Sequence, residues 1–209
     1  MNSKFIQDHL YRKFAQEKYQ LDTSFIYEWE ADFYYRNSSL YSNEIEIKIS
    51  YQDFRADFKK ISKHNHLKAQ YENKETFVDF KYHTYQLKSE ATQCRRGKEI
   101  PEKTWTSRET NKSQVPKWKK RDIQYELIST EIQIKPVGNV PNKFWYICPD
   151  GVIPIEEVPE YAGLYYISNR GRITIQKRAP FITKEIFDLD RVLLDKFYYL
   201  CRNMRYTQK

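Results

Sequence analysis

No apolar run in this 209-residue chain approaches the roughly 20 residues that cross a bilayer as a helix, and mean hydropathy is low at -0.87. No membrane partner is expected. The opening stretch MNSKFIQDHLYRKFAQEKYQ carries charge throughout and shows no export pattern. Cysteine is scarce. Cys94, Cys148 and Cys201 are odd in number and far apart, with no CxxC pair and no disulfide framework. A reducing compartment, the cytoplasm, is the expected setting. His9, His66 and His83 stand at no zinc-type spacing to a cysteine. Internal repeats and low-complexity tracts are also missing.

What is present argues for a folded chain. Hydrophobic residues at 40% and charged residues at 31% would point towards disorder, but 12 Phe, 18 Tyr and 4 Trp supply material for a core. The length favours one domain, or one core with a large insertion. With 36 Lys and Arg against 28 Asp and Glu, the net charge of +8 favours a polyanionic partner, weakly, because basic charge also serves solubility.

Phe5, Leu10 and Phe14 fall near helical spacing and predict an amphipathic first helix from Ser3 to about Tyr19. Aromatic and β-branched stretches from Phe25 to Arg36 and from Leu40 to Ile49, parted by Asn37, Ser38 and Ser39, predict a hairpin. Asp53 is placed as the cap of a second helix running from Phe54 towards His64, with Phe54, Phe58 and Ile61 as its apolar stripe. From Asn65 to Lys135 periodicity fades and basic residues cluster, at Arg95, Arg96 and Lys98 and again at Lys117, Lys119, Lys120 and Arg121 beside Trp118. This stretch reads as an insertion, 65–135, within a core formed by 1–64 and 136–209. Strands are placed at Phe77 to Phe80 and Tyr125 to Ile134 inside it, and at Phe144 to Cys148, Leu164 to Ile167 and Arg172 to Gln176 beyond it. Thr183 is placed as the cap of a last helix through about Arg202, with Ile186, Leu189, Leu193, Leu194 and Phe197 facing inward.

The chemistry concentrates in Glu44-Ile45-Glu46-Ile47-Lys48-Ile49, where alternation puts both glutamates and the lysine on one strand face and the isoleucines on the other. Glu28, Glu30 and Asp32 repeat the spacing of two on the preceding strand, so the hairpin can gather several carboxylates. A short turn near Ser38 puts Asp32 opposite a residue close to Ile45, within one position of Glu46, but a one-residue slip would reverse the faces. The plain alternative is a hairpin with a solvated Glu/Lys face. Against it stands the combination of an Asp on one strand, Glu-x-Lys on the next and a basic helix directly after. Carboxylates suit Mg²⁺ or Mn²⁺, and a lysine beside them can orient a water or offset charge at phosphorus.

Three blocks, Glu30-Ala31-Asp32, Glu44 to Ser50, and Asp53 to Lys60 with Lys63-His64, occur in order along the chain. A later block follows: Phe144-Trp145-Tyr146-Ile147, Pro149, Gly151, Glu157-Val158-Pro159 and Ala162-Gly163-Leu164. Together they resemble the PD-(D/E)XK nuclease superfamily, and within it the DNA-repair MmcB-like proteins common in phage genomes. The resemblance implies an α/β, restriction-endonuclease-like fold: a mixed central sheet in the order α-β-β-β-α-β, flanked by helices. It makes Asp32 and Glu46 metal ligands and Lys48 the catalytic lysine. Beside these, Glu30 or Glu44 is expected as a supporting carboxylate, and Lys59, Lys60, Lys63 and His64 are expected to contact nucleic acid, a helix-dipole role at the end of the second helix being an equal alternative for Lys63 and His64. The implied cofactor is Mg²⁺ or Mn²⁺ with no organic cofactor, the implied partner is DNA, and the setting is the host cytoplasm for a phage protein; a homo-oligomer stays open. The motif's proline is absent before Asp32, where Ala31 stands, and the insertion is longer than the family pattern requires. The expected activity is metal-dependent hydrolysis of phosphodiester bonds in DNA, in phage DNA processing or repair. The alternatives are a non-catalytic nucleic-acid-binding or phage structural protein on the same fold, and cleavage of RNA by the same chemistry, for which no 2′-hydroxyl reader is recognisable.

Overall fold

The computed structural model describes residues 1–87, 104–108 and 125–207. Along the chain these form α1 (Ser3–Lys13), β1 (Lys18–Phe25), β2 (Glu30–Arg36), β3 (Ser42–Ile47), α2 (Tyr51–Asp57), α3 (Ile61–Tyr71), β4 (Thr76–Leu87), β5 (Thr104–Arg108), β6 (Tyr125–Pro136), β7 (Lys143–Pro149), β8 (Ala162–Ile167), β9 (Ile173–Lys177) and α4 (Asp190–Thr207). One unit comprises Met1–Glu75 with Val137–Lys209, and a second comprises Thr76–Pro136. The expected boundary at His64 thus moves to Glu75, because α3 runs on to Tyr71 and buries His66, Leu67 and Ala69 within the first unit.

The first unit is an α/β layer structure around a six-stranded mixed sheet in the order β1-β2-β3-β7-β8-β9. The strands β1, β2 and β3 form an antiparallel meander, β3, β7 and β8 run parallel, and β9 returns antiparallel. Central parallel strands are covered on both faces, and every residue of β3 is buried. On one face Ile45 and Ile47 pack with Phe33, Ile147 and the Ile6 and Leu10 side chains of α1. On the other face Phe54 of α2 and Leu67 of α3 pack with Phe144, Tyr146 and Leu164. The acidic side of β3 therefore faces a helical layer and not solvent.

Local chemistry explains the element ends. Asn2 caps α1 by accepting from the Phe5 N–H at 2.9 Å. The helix stops at Lys13, short of the expected Tyr19, because Phe14 turns inward and stacks on Tyr35 with ring centroids 4.2 Å apart. The chain then enters β1, which sequence patterning did not reveal. Ser50, and not Asp53, caps α2: its hydroxyl accepts from the Asp53 N–H at 3.1 Å, and the Asp53 carboxylate accepts from the Ile49 N–H at 3.3 Å. The single helix expected from Phe54 to His64 is two, broken at residues 58–60. In an unbroken helix Lys63 would point about 120° away from Asp57; the break aims both at β3.

The final helix begins at Asp190, not after Thr183. The intervening backbone is kept out of a helix because Asn142 donates to the carbonyls of Thr183 and Glu185, and Arg36 donates to that of Phe187. Leu189, Leu193 and Phe197 pack inward as expected, whereas Ile186 and Leu194, expected inside, are exposed, Leu194 by 70%. The second unit is a three-stranded antiparallel sheet in the order β5-β4-β6. The basic clusters at Arg95 to Lys98 and Lys117 to Arg121 lie outside the described residues. Cys148 is buried and free, and among the described residues no helix is long and apolar enough to cross a membrane.

The ends of the second unit meet in the first: the Val137 N–H donates to the Glu75 carbonyl at 2.8 Å. A short Gly/Ser linker replacing residues 76–136 therefore closes without stretching, and the remaining chain is expected to unfold cooperatively. Calorimetry decides it: a shortened variant with no cooperative transition would show that the second unit is needed for the core.

Candidate active site

Asp32, Glu46 and Lys48 converge where β2 and β3 part. The last Cα partners of that ladder are Phe33 and Ile45, and beyond them the Asp32 carboxylate replaces main chain as acceptor, taking the Ile47 N–H at 2.8 Å. This brings Asp32 beside Glu46. Burial, then the Glu46 charge, raises the Asp32 carboxyl from 3.8 to about 6, with the Ile47 N–H and Lys48 opposing. Two carboxylates in such contact repel unless a proton or a cation lies between them.

Glu46 is 1% exposed and Lys48 4%. The Lys48 ammonium donates to Glu46 Oε2 at 2.8 Å and to Asp57 Oδ1 at 3.2 Å, while its own N–H extends the parallel ladder to the Ile147 carbonyl at 2.9 Å. Lys63 donates to Glu46 Oε1 and lies 3.8 Å from Glu44. Lys60, half exposed, lies 3.1 Å from Asp57 and 3.8 Å from Glu46. Burial pushes the Glu46 carboxyl upward, but Lys63, Lys48 and Lys60 outweigh it against Asp57 and hold it below its ordinary value. For Lys48, burial opposes the charge, and Glu46 and Asp57 more than offset it, so its pKa rises.

Glu44 shares the face with Glu46 and is wholly buried. Its Oε1 accepts from the Trp29 indole at 2.7 Å, and its Oε2 has no hydrogen-bond partner. Burial lifts the Glu44 carboxyl from 4.5 to about 8, although Lys63 offsets part of this. Glu30, two residues before Asp32, is exposed at the start of β2 and stands outside the cluster.

The four residues expected to contact nucleic acid separate. Lys59 and Lys60 are exposed, whereas Lys63 and His64 are buried and bonded into the cluster. The reason is the helix break, which turns the start of α3 towards β3. His64 donates from Nε2 to Asp57 Oδ2 at 3.1 Å, since a carboxylate only accepts, and its Nδ1 meets the Tyr161 hydroxyl at 2.8 Å. Asp57 and Tyr146, which donates to Asp57 Oδ2 at 3.1 Å, were missed as site residues. Asp57 lies within a helical basic stretch and Tyr146 within an apolar strand, and neither spacing signals the other.

The donor set suits a hard divalent ion. Mg²⁺ is commonly held by one or two carboxylates with water and substrate phosphate completing its shell, and Asp32 and Glu46 are the two carboxylates that would have to hold it, although both Glu46 oxygens already accept from lysines. No group of three His, Cys, Asp or Glu side chains in ligating array occurs among the described residues, so water, phosphate or main chain would supply the other positions. Three lysines, Lys48, Lys60 and Lys63, thus face three carboxylates, Asp32, Glu46 and Asp57. A divalent ion held there would make the cluster cationic, a charge that an anionic substrate would answer.

No protein family and no curated protein matches the chain. Among solved structures, a Silicibacter pomeroyi protein of unknown function is similar at 12% identity and a TM-score of 0.44, over 91% of this chain and 79% of that one.

Proposed function

We propose that this chain is a metal-dependent nuclease that hydrolyses phosphodiester bonds in DNA, with a PD-(D/E)XK-type site on a restriction-endonuclease-like core. The carrying observation is the contact between Asp32 of β2 and Glu46 of β3, with Lys48 two residues on and bonded to Glu46. The antiparallel meander followed by a parallel strand, with helices on both faces, supports the same reading.

Asp32 and Glu46 would hold Mg²⁺ or Mn²⁺, which would supply Lewis acidity and a more acidic bound water. The chain's own part is positional and electrostatic. Asp32 must be ionised to take part, and its pKa near 6 leaves it charged at neutral pH. Lys48 keeps its proton and, fixed beside Glu46, can orient a water or offset charge growing on a phosphoryl oxygen. Lys60, with its side chain half exposed, and exposed Lys59 are the groups that would first meet a phosphate.

A second reading rests on a specific observation: both Glu46 oxygens already accept from lysines. A self-neutralised ion cluster is also what a non-catalytic DNA-binding or structural member of this fold would retain. The deciding experiment incubates the protein with linear, nicked, branched and single-stranded DNA, and with RNA, in Mg²⁺, Mn²⁺ or EDTA. Metal-dependent cleavage of a DNA form supports the nuclease; no cleavage of any form with either ion supports the second reading.

A further inference from the structure

Asp57 closes α2 with its side chain fully buried, yet it is the most heavily bonded carboxylate of the cluster. Its Oδ1 accepts from Lys48 at 3.2 Å and pairs with Lys60 at 3.1 Å; its Oδ2 accepts from His64 at 3.1 Å and from Tyr146 at 3.1 Å. A carboxylate offers about four lone-pair sites, so these donors saturate it and leave none for an ion. Its supports come from separate elements: His64 from α3, backed by Tyr161, and Tyr146 from the core of β7. Such a group is held far more rigidly than a four-carbon lysine stem holds its own ammonium.

We propose that Asp57 is the positioning residue for the Lys48 ammonium, with His64 and Tyr146 fixing Asp57 in turn. An ammonium has three N–H bonds. Glu46 and Asp57 take two in fixed directions, and the third is left to aim away from both carboxylates. With Glu46 alone, the ammonium could pivot about a single bond. The catalytic consequence rests on the nuclease reading; the positioning itself does not. Displacement of a reacting group by about 1 Å can lower a rate by roughly a hundredfold.

The test uses Asp57→Asn and Tyr146→Phe in the full chain, with two readouts. The first is the Lys48 ammonium signal in ¹⁵N-correlated NMR, assigned by its loss in Lys48→Arg; it is sharp only while the ammonium is hydrogen-bonded in one place. It should broaden or vanish in Asp57→Asn and persist, shifted, in Tyr146→Phe. The second is single-turnover cleavage at saturating DNA and Mg²⁺. Asp57→Asn should lower it about ten- to a hundredfold, with Mg²⁺ half-saturation and DNA affinity in Ca²⁺ each within about threefold, and Tyr146→Phe should lower it less. An unchanged Lys48 signal in folded Asp57→Asn overturns the positioning. A large rise in Mg²⁺ half-saturation overturns it too, by making Asp57 an ion ligand. A wild-type protein inert on DNA, with the signal still lost in Asp57→Asn, overturns the nuclease reading and leaves the positioning supported.

Discussion

Alanine at Lys48 or at Glu46 should lower single-turnover DNA cleavage by about a thousandfold, while DNA affinity measured in Ca²⁺ changes by less than about tenfold. The division follows from burial. Glu46 and Lys48 are enclosed under α2 and α3, where on the proposed nuclease reading they would act on an ion, a water and the charge at phosphorus, whereas salt-sensitive affinity would come from exposed basic residues such as Lys59 and Lys60. The signs on binding differ: losing Lys48 removes a positive charge and weakens it slightly, and losing Glu46 without metal relieves repulsion of phosphate and strengthens it. Stability has to be followed as well. Removing Glu46 leaves Lys48 and Lys63 buried with fewer acceptors, at a cost of about 3–5 kcal/mol. Glu46→Gln keeps the volume and one acceptor and is the matched control, with every rate measured well below each variant's melting temperature. Cleavage that survives both alanine substitutions unchanged would remove these residues from the chemistry.

Glu44→Gln should stabilise the protein progressively as pH rises from 5 to 8. Burial holds the Glu44 carboxyl at about 8 in the folded chain against an ordinary 4.5, so between these values the native state binds more protons than the unfolded state. Stability from this group is complete below the lower value and declines as pH climbs through the upper one. The span corresponds to a loss on the order of 4 kcal/mol, or roughly 10 °C in melting temperature for a chain of this size. Glutamine cannot ionise, and its amide oxygen still accepts from Trp29, so the variant escapes the decline. Melting curves of both proteins at several pH values separate the outcomes. Parallel profiles from pH 5 to 8 would mean that Glu44 is ionised throughout, with Lys63 compensating it fully.

Much of the strand pattern was legible because a period of two is a local property. The alternation in Glu44 to Ile49 placed the glutamates and Lys48 opposite the isoleucines, as found at Ile45 and Ile47. Whether the acidic face met water or protein was not legible, since α2, α3 and β7, which bury it, lie on later segments. Asp32 and Glu30 have the same parity and could not be told apart by spacing. The register of Phe33 on Ile45 and the capture of the Ile47 N–H put Asp32 in the cluster, while Glu30 stays exposed.

The longest failures have one cause. An unbroken Phe54 to His64 helix satisfies every local preference, and so does a helix from Thr183, where Asn142 and Arg36 instead bind the backbone from distant parts of the chain and keep it out of a helix. Sequence alone determined the aromatic core, the strand alternation and the residue types available for chemistry, because composition and periodicity act between near neighbours. Tertiary structure alone decided that Asp57, Lys63, His64 and Tyr146 join Asp32, Glu46 and Lys48. Buried charges must find partners wherever the chain can supply them, and those partners came from α2, α3 and β7, elements whose relative placement no local spacing encodes.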